Sequence, residues 1–211
     1  MKVAVIDYGM GNLRSVSKAL EHVAPRVEVL VTSDAKVVAE ADRVVFPGQG
    51  AMPDCMREMD SRNLRPAVLA AAREKPFLGI CIGLQMLFDS SEEGDTQGLG
   101  IFPGQVRRFP ASGSAQAAGG RLKVPHMGWN QVRQRGPHRL WAGIEDATRF
   151  YFVHSYYASP TAGSLIAAET DYGMCFTCAV ARDNIFAVQF HPEKSQTSGL
   201  RLLANFISWN P

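Results

Sequence analysis

The apolar positions of this chain change texture near its middle. Up to residue 80, short continuous apolar runs alternate with stretches of helical spacing. Lys2–Ile6 (KVAVI) is β-branched and almost wholly apolar, the pattern of a strand buried on both faces. Leu13–Val23 then sets Leu13, Val16, Leu20 and Val23 at intervals of three and four, which predicts a helix. The same reading predicts strands over Val27–Val31, Arg43–Phe46 and Pro76–Ile80, and helices over Ala35–Ala41, Pro53–Met59 and Leu64–Arg73. Strands and helices alternating at this spacing imply βαβ units around a mainly parallel sheet.

The second half is richer in strand-like runs separated by turn residues: Val106–Phe109, Leu122–Val124, Gln131–Val132, Phe150–Val153, Leu165–Ala168, Cys175–Ala181 and Ile185–Phe190. These predict antiparallel additions to the sheet, and a helix over Ser198–Ile207 closes the chain. Residues 111–120 (ASGSAQAAGG) are small and low in complexity, the composition of a flexible surface loop or hairpin tip. There is no internal repeat and no dividing linker. The expected architecture is therefore one α/β domain over 1–211, three-layered, with a mainly parallel central sheet flanked by helices and antiparallel strands in the C-terminal half.

Composition narrows the class. The chain has 211 residues, 22 Lys+Arg against 20 Asp+Glu, 46% hydrophobic and 20% charged residues, and a formal net charge of +2. That excludes a disordered chain and a globally basic nucleic-acid binder. Only VAVI separates Lys2 from Asp7, too short for a signal-peptide core, and Phe150–Ala168 is interrupted by His154, Pro160 and Gly163, unlike a membrane span. Four cysteines are few for a disulfide framework, so a reducing cytoplasm is expected. The charge is uneven, however. Between Thr96 and Ile144 there is no acidic residue, while Arg107, Arg108, Arg121, Lys123, Arg133, Arg135 and Arg139 make that stretch basic.

The most informative chemistry lies in Lys75–Ser90. A buried strand runs into Gly79-Ile80-Cys81-Ile82-Gly83, and Leu84, Leu87 and Phe88 predict an amphipathic helix behind it. A nucleophile framed by glycines between strand and helix has the form of a nucleophile elbow. A helix N-terminus there favours a thiolate, and the N–H of Ile82 points where an oxyanion would form. The alternative is a merely buried, small Cys81. Cys55 lacks glycine framing. Cys175 and Cys178 form a CxxC inside a strand rather than at a helix start, which reads as structural.

A thiolate nucleophile needs a proton carrier, usually histidine. Of His22, His126, His138, His154 and His191, only His191 has a carboxylate two residues on, in IFAVQFHPE. On an extended chain, i and i+2 face the same side, so Glu193 is placed to orient His191. The alternative is a surface histidine beside a solvated glutamate; His154, in FVHSYY, is the reserve candidate. After the third strand, PGQGAM offers Gly48, Gln49 and Gly50, whose backbone N–H groups could complete an oxyanion hole, or simply make a tight turn. DYGMGN has Arg14 where a dinucleotide fingerprint needs its third glycine, so nucleotide binding is not expected.

Gly79-Ile-Cys81-Ile-Gly83-Leu-Gln85 together with Phe190-His191-Pro192-Glu193 resembles the class I, triad-type glutamine amidotransferase family. Within it, DYGMGNLRSV, FPGQGAMPDCM, PHMGWN, FVHSYY and QFHPEKSQTSG are similar to the glutaminase subunits of imidazole glycerol phosphate synthases, over essentially the whole chain. The resemblance implies a flavodoxin-like amidotransferase fold, with Cys81 as nucleophile, His191 as general acid/base and Glu193 as its orienter. It implies that Gly48, Gln49 and Gly50 line the oxyanion side with Ile82. Gln85 would help hold glutamine, whose α-groups would lie near His154 and Ser155. It further implies no metal or organic cofactor, and ammonia delivered to a separate (β/α)₈ cyclase subunit, for which some of the basic side chains of the middle stretch are candidates for docking. Other glutaminases of this class, such as that of pyridoxal phosphate synthase, a stand-alone γ-glutamyl hydrolase and a catalytically silent flavodoxin-like module are the competing readings. The pyridoxal phosphate synthase glutaminase should lack DYGMGN and PHMGWN.

Overall fold

The computed structural model describes residues 1–110 and 123–211; the low-complexity stretch 111–120 lies outside the described residues. The first half follows the predicted alternation: β1 (Lys2–Ile6), α1 (Leu13–Val23), β2 (Glu28–Thr32), α2 (Ala35–Glu40), β3 (Arg43–Phe46), α3 (Met52–Ser61), α4 (Arg65–Glu74) and β4 (Phe77–Ile80). Val16, Ala19 and Leu20 of α1 are buried at helical spacing, and every residue of β3 and β4 is buried, as in a sheet covered on both faces.

The remaining elements are α5 (Ile82–Gln85), β5 (Phe88–Ser91), β6 (Thr96–Gln97), β7 (Phe102–Arg108), β8 (His126–Gln134), β9 (Thr148–His154), β10 (Tyr156–Pro160), β11 (Ile166–Asp171), β12 (Cys175–Arg182), β13 (Ile185–Val188) and α6 (Gln196–Ser208). Strand order in the sheet is β2-β1-β3-β4-β13-β12-β10-β7-β5-β6, with β11, β8 and β9 branching from β12. The first five strands of that order are mutually parallel. From β12 onward the pairing is antiparallel, apart from β5 beside β7. α1 packs with α6 and α2 with α4. The sheet order reverses between β1 and β3, so the crevice for a ligand falls beyond the carboxyl ends of the parallel strands. No helix among the described residues is long and apolar enough to cross a membrane.

Three expectations are corrected. The amphipathic helix through Leu84, Leu87 and Phe88 is a single turn, Ile82–Gln85, after which the chain becomes β5. Residues 81–88 are buried throughout. An apolar run with no polar face carries no period that separates helix from strand. The backbone instead turns so that Leu87 O accepts N–H groups of Ile101 and Phe102. Next, β8 spans nine residues where only Gln131–Val132 was expected. It buries His126 and Val132 and leaves Met127 and Trp129 outside, so side-chain polarity runs against the usual signal. Finally, Lys123 and Val124 are irregular rather than strand, and Leu122 lies outside the described residues.

Candidate active site

The carboxyl ends of β1, β3, β4 and β13 open into a cleft of about 730 Å³. Gly9, Met10 and Gly11 line it after β1, Gln49 and Gly50 after β3, Cys81 and Ile82 after β4, and His191 and Lys194 beyond β13. The wall opposite is His154, Ser155 and Tyr156. Cys81, His191, Ile82, Gln49, Gly50, Gln85, His154 and Ser155, all singled out from sequence, therefore meet around one cavity. Glu193 stands behind His191. Gly48 is buried one residue behind the cleft surface. DYGMGN lines the same cleft, although its glycines do not form a nucleotide fingerprint.

The elbow is made by close approach. Cys81 has φ 56° and ψ −110°, a sparsely populated conformation for a residue with a Cβ. Gly83 supports it: a Cβ there would lie 1.8 Å from the Phe46 carbonyl oxygen, so any other residue would push β3 away from the turn. Gly48 does the same from the other side, where a Cβ would meet the Tyr8 hydroxyl at 2.2 Å and Ile82 Cβ at 3.0 Å. The Tyr8 hydroxyl donates to Pro47 O at 2.9 Å, bracing the glycine loop from within the core. The loop after β3 thus lies directly against the residue following Cys81, where oxyanion donors are needed. Because α5 has only one turn, little of the expected helix dipole acts on the thiol.

His191 is pinned through its backbone. Its N–H donates to Tyr151 O at 2.9 Å, and its carbonyl accepts from Ser195 Oγ at 2.6 Å. The side chain bonds Glu193 through Nδ1···Oε1 at 2.8 Å, with the two side chains 3% and 1% exposed. Alignment along an extended chain is not how they meet. Pro192–Lys194 forms a 3₁₀ turn that curls the carboxylate back under the ring. Nε2 is buried with no hydrogen-bond partner among the described residues. Burial alone lowers the ring's pKa, but the neighbouring Cys81 and then the Glu193 carboxylate bonded to Nδ1 outweigh it and hold the ring up at about 10.

His154 is placed differently. Its Nδ1 lies 2.7 Å from Tyr156 O, which can only accept, so that nitrogen carries the hydrogen. Nε2 then accepts from His126 Nδ1 at 2.9 Å, and His126 Nε2 faces Asn130 Nδ2 at 3.3 Å. Burial pushes His126 down to about 4. Burial, only partly offset by the Tyr156 carbonyl and reinforced by the two other histidines, pushes His154 down to about 3. Both rings stay neutral and hold the cleft wall; neither can exchange a proton near neutral pH. Since their folded pKa values lie below the ordinary 6.5, the stability they contribute is complete above pH 6.5. It is lost as pH falls toward 4. Urea unfolding at about pH 7.5 and about pH 5 should differ by roughly 2 kcal/mol per histidine. His191, held high, shifts stability the opposite way, so the comparison is between variants: His126→Gln and wild type losing the same amount would exclude this.

The other thiols are not competitors. Burial raises Cys55 to about 11 and Cys178 well above its ordinary value. Cys175 is exposed and Cys178 buried, on opposite faces of β12, and both are free. Four cleft or near-cleft residues were not named as site residues from sequence: Glu93, whose Oε2 accepts the Met52 N–H at 2.8 Å, and Tyr156, Lys194 and the wholly buried Gln189, which lie within the quoted stretches FVHSYY and QFHPEKSQTSG. A single glutamine within the apolar run IFAVQF was the available clue to the last.

The family model described as glutamine amidotransferase class-I matches residues 4–209. The chain is 69% identical over 209 residues to imidazole glycerol phosphate synthase subunit HisH of Aromatoleum aromaticum, covering 99% of each chain. It is 66% identical to the protein of the same name from Thiobacillus denitrificans, covering 99% of this chain and 92% of that one. Among solved structures, PurLQS from Thermotoga maritima has TM-score 0.72 at 16% identity, covering 98% of this chain and 97% of that one. A crystal structure of a glutamine amidotransferase has TM-score 0.70 at 17% identity, with the same coverage of 98% and 97%.

Proposed function

This chain belongs to the class-I glutamine amidotransferase family, and from that premise we propose that it is the glutaminase subunit of an imidazole glycerol phosphate synthase, in histidine biosynthesis. The observation that carries the chemistry is the strained Cys81 sharing one cleft with His191, whose Nδ1 is held by buried Glu193. The Cys81 thiolate attacks the side-chain amide carbon of L-glutamine. Backbone N–H groups of Ile82 and of the Gly48-Gln49-Gly50 loop receive the oxyanion. The His191 imidazolium gives its proton to the departing nitrogen, so ammonia leaves and a γ-glutamyl thioester remains. Neutral His191 then takes a proton from an attacking water. The C–S bond breaks, releasing glutamate and restoring the thiolate–imidazolium pair. In the cleft, Gln85, His154 and Ser155 lie on the side where the substrate's α-groups would be held.

The ammonia is consumed by a separate (β/α)₈ cyclase subunit, which makes imidazole glycerol phosphate and aminoimidazole carboxamide ribonucleotide. The relatives' shared name supports that assignment over a stand-alone γ-glutamyl hydrolase. Met127 and Trp129 support a docked partner: they are 61% and 42% exposed and project from one face of β8, whose neighbours Pro125 and Val153 line the cleft. The basic stretch is a weaker docking candidate than its charge suggested. Arg135 pairs with Glu169 and Arg107 with Glu92, so part of that charge is neutralised within the chain. Glutamate release should be weak alone and rise when a cyclase subunit is added. Trp129→Ala should loosen the complex by about ten-fold or more in Kd, with weak salt dependence. Full turnover without any cyclase would favour the hydrolase reading, and an unchanged Kd would move the docking face elsewhere.

A further inference from the structure

Gln189 follows β13 two residues before His191 and is fully buried. Its backbone N–H is used in the sheet, donating to Cys178 O at 2.8 Å. Its side chain reaches toward the nucleophile, with Nε2 donating to Cys81 Sγ at 3.7 Å. An amide can be turned end for end, so the orientation needs an independent anchor. Gln85 supplies it. The Gln85 Nε2 donates to Tyr156 O at 3.1 Å, and a backbone carbonyl can only accept. That places the Gln85 NH₂ toward both Tyr156 and Gln189, and Gln189 Oε1 accepts from it at 2.9 Å. With its oxygen so engaged, Gln189 has only its NH₂ to present to sulfur. The order Tyr156 O, Gln85, Gln189, Cys81 therefore runs in one direction, from the cleft wall to the reacting atom.

We propose that Gln189 is a further catalytic residue of this glutaminase, its amide N–H holding the Cys81 sulfur as a thiolate, and that Gln85 is a positioning residue that prevents this amide from turning over. The proposal rests on Cys81 being the nucleophile. A buried N–H aimed at sulfur stabilises the anion more than the thiol, because a hydrogen bond to a charged acceptor is the stronger one. Gln189 supplies the sulfur with a fixed dipole that gains or loses no proton during turnover. The remaining Gln85 oxygen, Oε1, is buried without a hydrogen-bond partner among the described residues, and Gln85 lines the cleft. That leaves one side-chain acceptor for the substrate on the same residue that orients Gln189.

The test uses the chain with its cyclase partner for turnover and the chain alone for thiol reactivity. Gln189→Leu and the more flexible Gln189→Met remove the donor while keeping the volume, and thermal unfolding checks that each is folded. Iodoacetamide labelling of Cys81, followed by mass spectrometry of its peptide, gives the pH profile free of Cys175. The expected result is an upward move of the labelling midpoint and a fall in kcat of about ten-fold or more, with KM changed far less. Gln85→Met should reproduce part of the midpoint shift, since Gln189 is then released. It should also raise KM. An unmoved midpoint in a folded Gln189 variant overturns the proposal, as does an unmoved midpoint in Gln85→Met if the Gln189 variants do not fold. The two readings fail separately. If Cys81→Ala retains turnover, the nucleophile assignment is wrong. If Cys81→Ala is inactive while Gln189→Leu keeps its profile, only the role of Gln189 is lost.

Discussion

Cys81→Ala should lower glutamate release to background, a loss on the order of 10⁴-fold, with the cyclase subunit present or absent. The loss is this large because no other group can take the role. Cys55 and Cys178 are held as thiols by burial, and Cys175 lies away on an exposed end of β12. Without sulfur the thioester cannot form. Backbone donors left at Ile82 and the Gly48–Gly50 loop would face a substrate with nothing to attack it. Folding should survive. Alanine fits the same space, and the turn is imposed by contacts of Gly83 and Gly48 rather than by the thiol. A complex containing Cys81→Ala should still form product when ammonium salts are supplied, because only the production of ammonia is broken. Retained glutaminase turnover would remove the nucleophile assignment. Loss of ammonium-driven synthesis would show that the substitution had damaged docking instead.

The second large effect is at His191. Asparagine at this position should also abolish turnover, since an amide can neither hold the proton beside the thiolate nor deliver it to the leaving nitrogen. The Glu193 carboxylate would in addition be left buried without the ring that bonds its Oε1, and Oε2 has no hydrogen-bond partner among the described residues, so some stability should be lost as well. His154→Asn provides the contrast. That ring is neutral and donates to the Tyr156 carbonyl. Its loss loosens the cleft wall and should raise KM more than it lowers kcat, leaving measurable turnover. Steady-state kinetics of both variants, with circular dichroism to confirm folding, decide between the two assignments. The reverse order of damage would exchange the roles of His154 and His191.

The parts of the site that could be read from sequence share a physical character. The parallel strands and their helices were legible because burial on one or both faces imposes a period. Cys81 was legible as a candidate because a strand, a glycine-framed turn and a cysteine are neighbours along the chain. His191 and Glu193 were legible as a pair, although the geometry that joins them is a 3₁₀ turn rather than an extended chain. The stretch after Cys81 was misread as a longer helix because every residue in it is buried, which erases the period on which the prediction depends. β8 was underestimated because it turns histidine inward and Met127 and Trp129 outward, against the usual polarity. The basic middle stretch looked like one patch, but Glu92 and Glu169, outside it in sequence, lie beside Arg107 and Arg135 in space.

The sequence by itself therefore determined the α/β alternation, the elbow at Cys81, the His191–Glu193 pair and the family that these define. Each depends on residues within a few positions of one another, where covalent geometry and periodicity act. Only the tertiary structure decided that Cys81 and His191, far apart along the chain, line one cleft, and which histidine ring is held by a buried carboxylate. It also decided that the glycine loop lies against Ile82 and that Gln189 points its N–H at sulfur. Those outcomes rest on burial, dipole direction and contacts between strands that pair across the sheet order, and such quantities exist only once distant segments have been packed together.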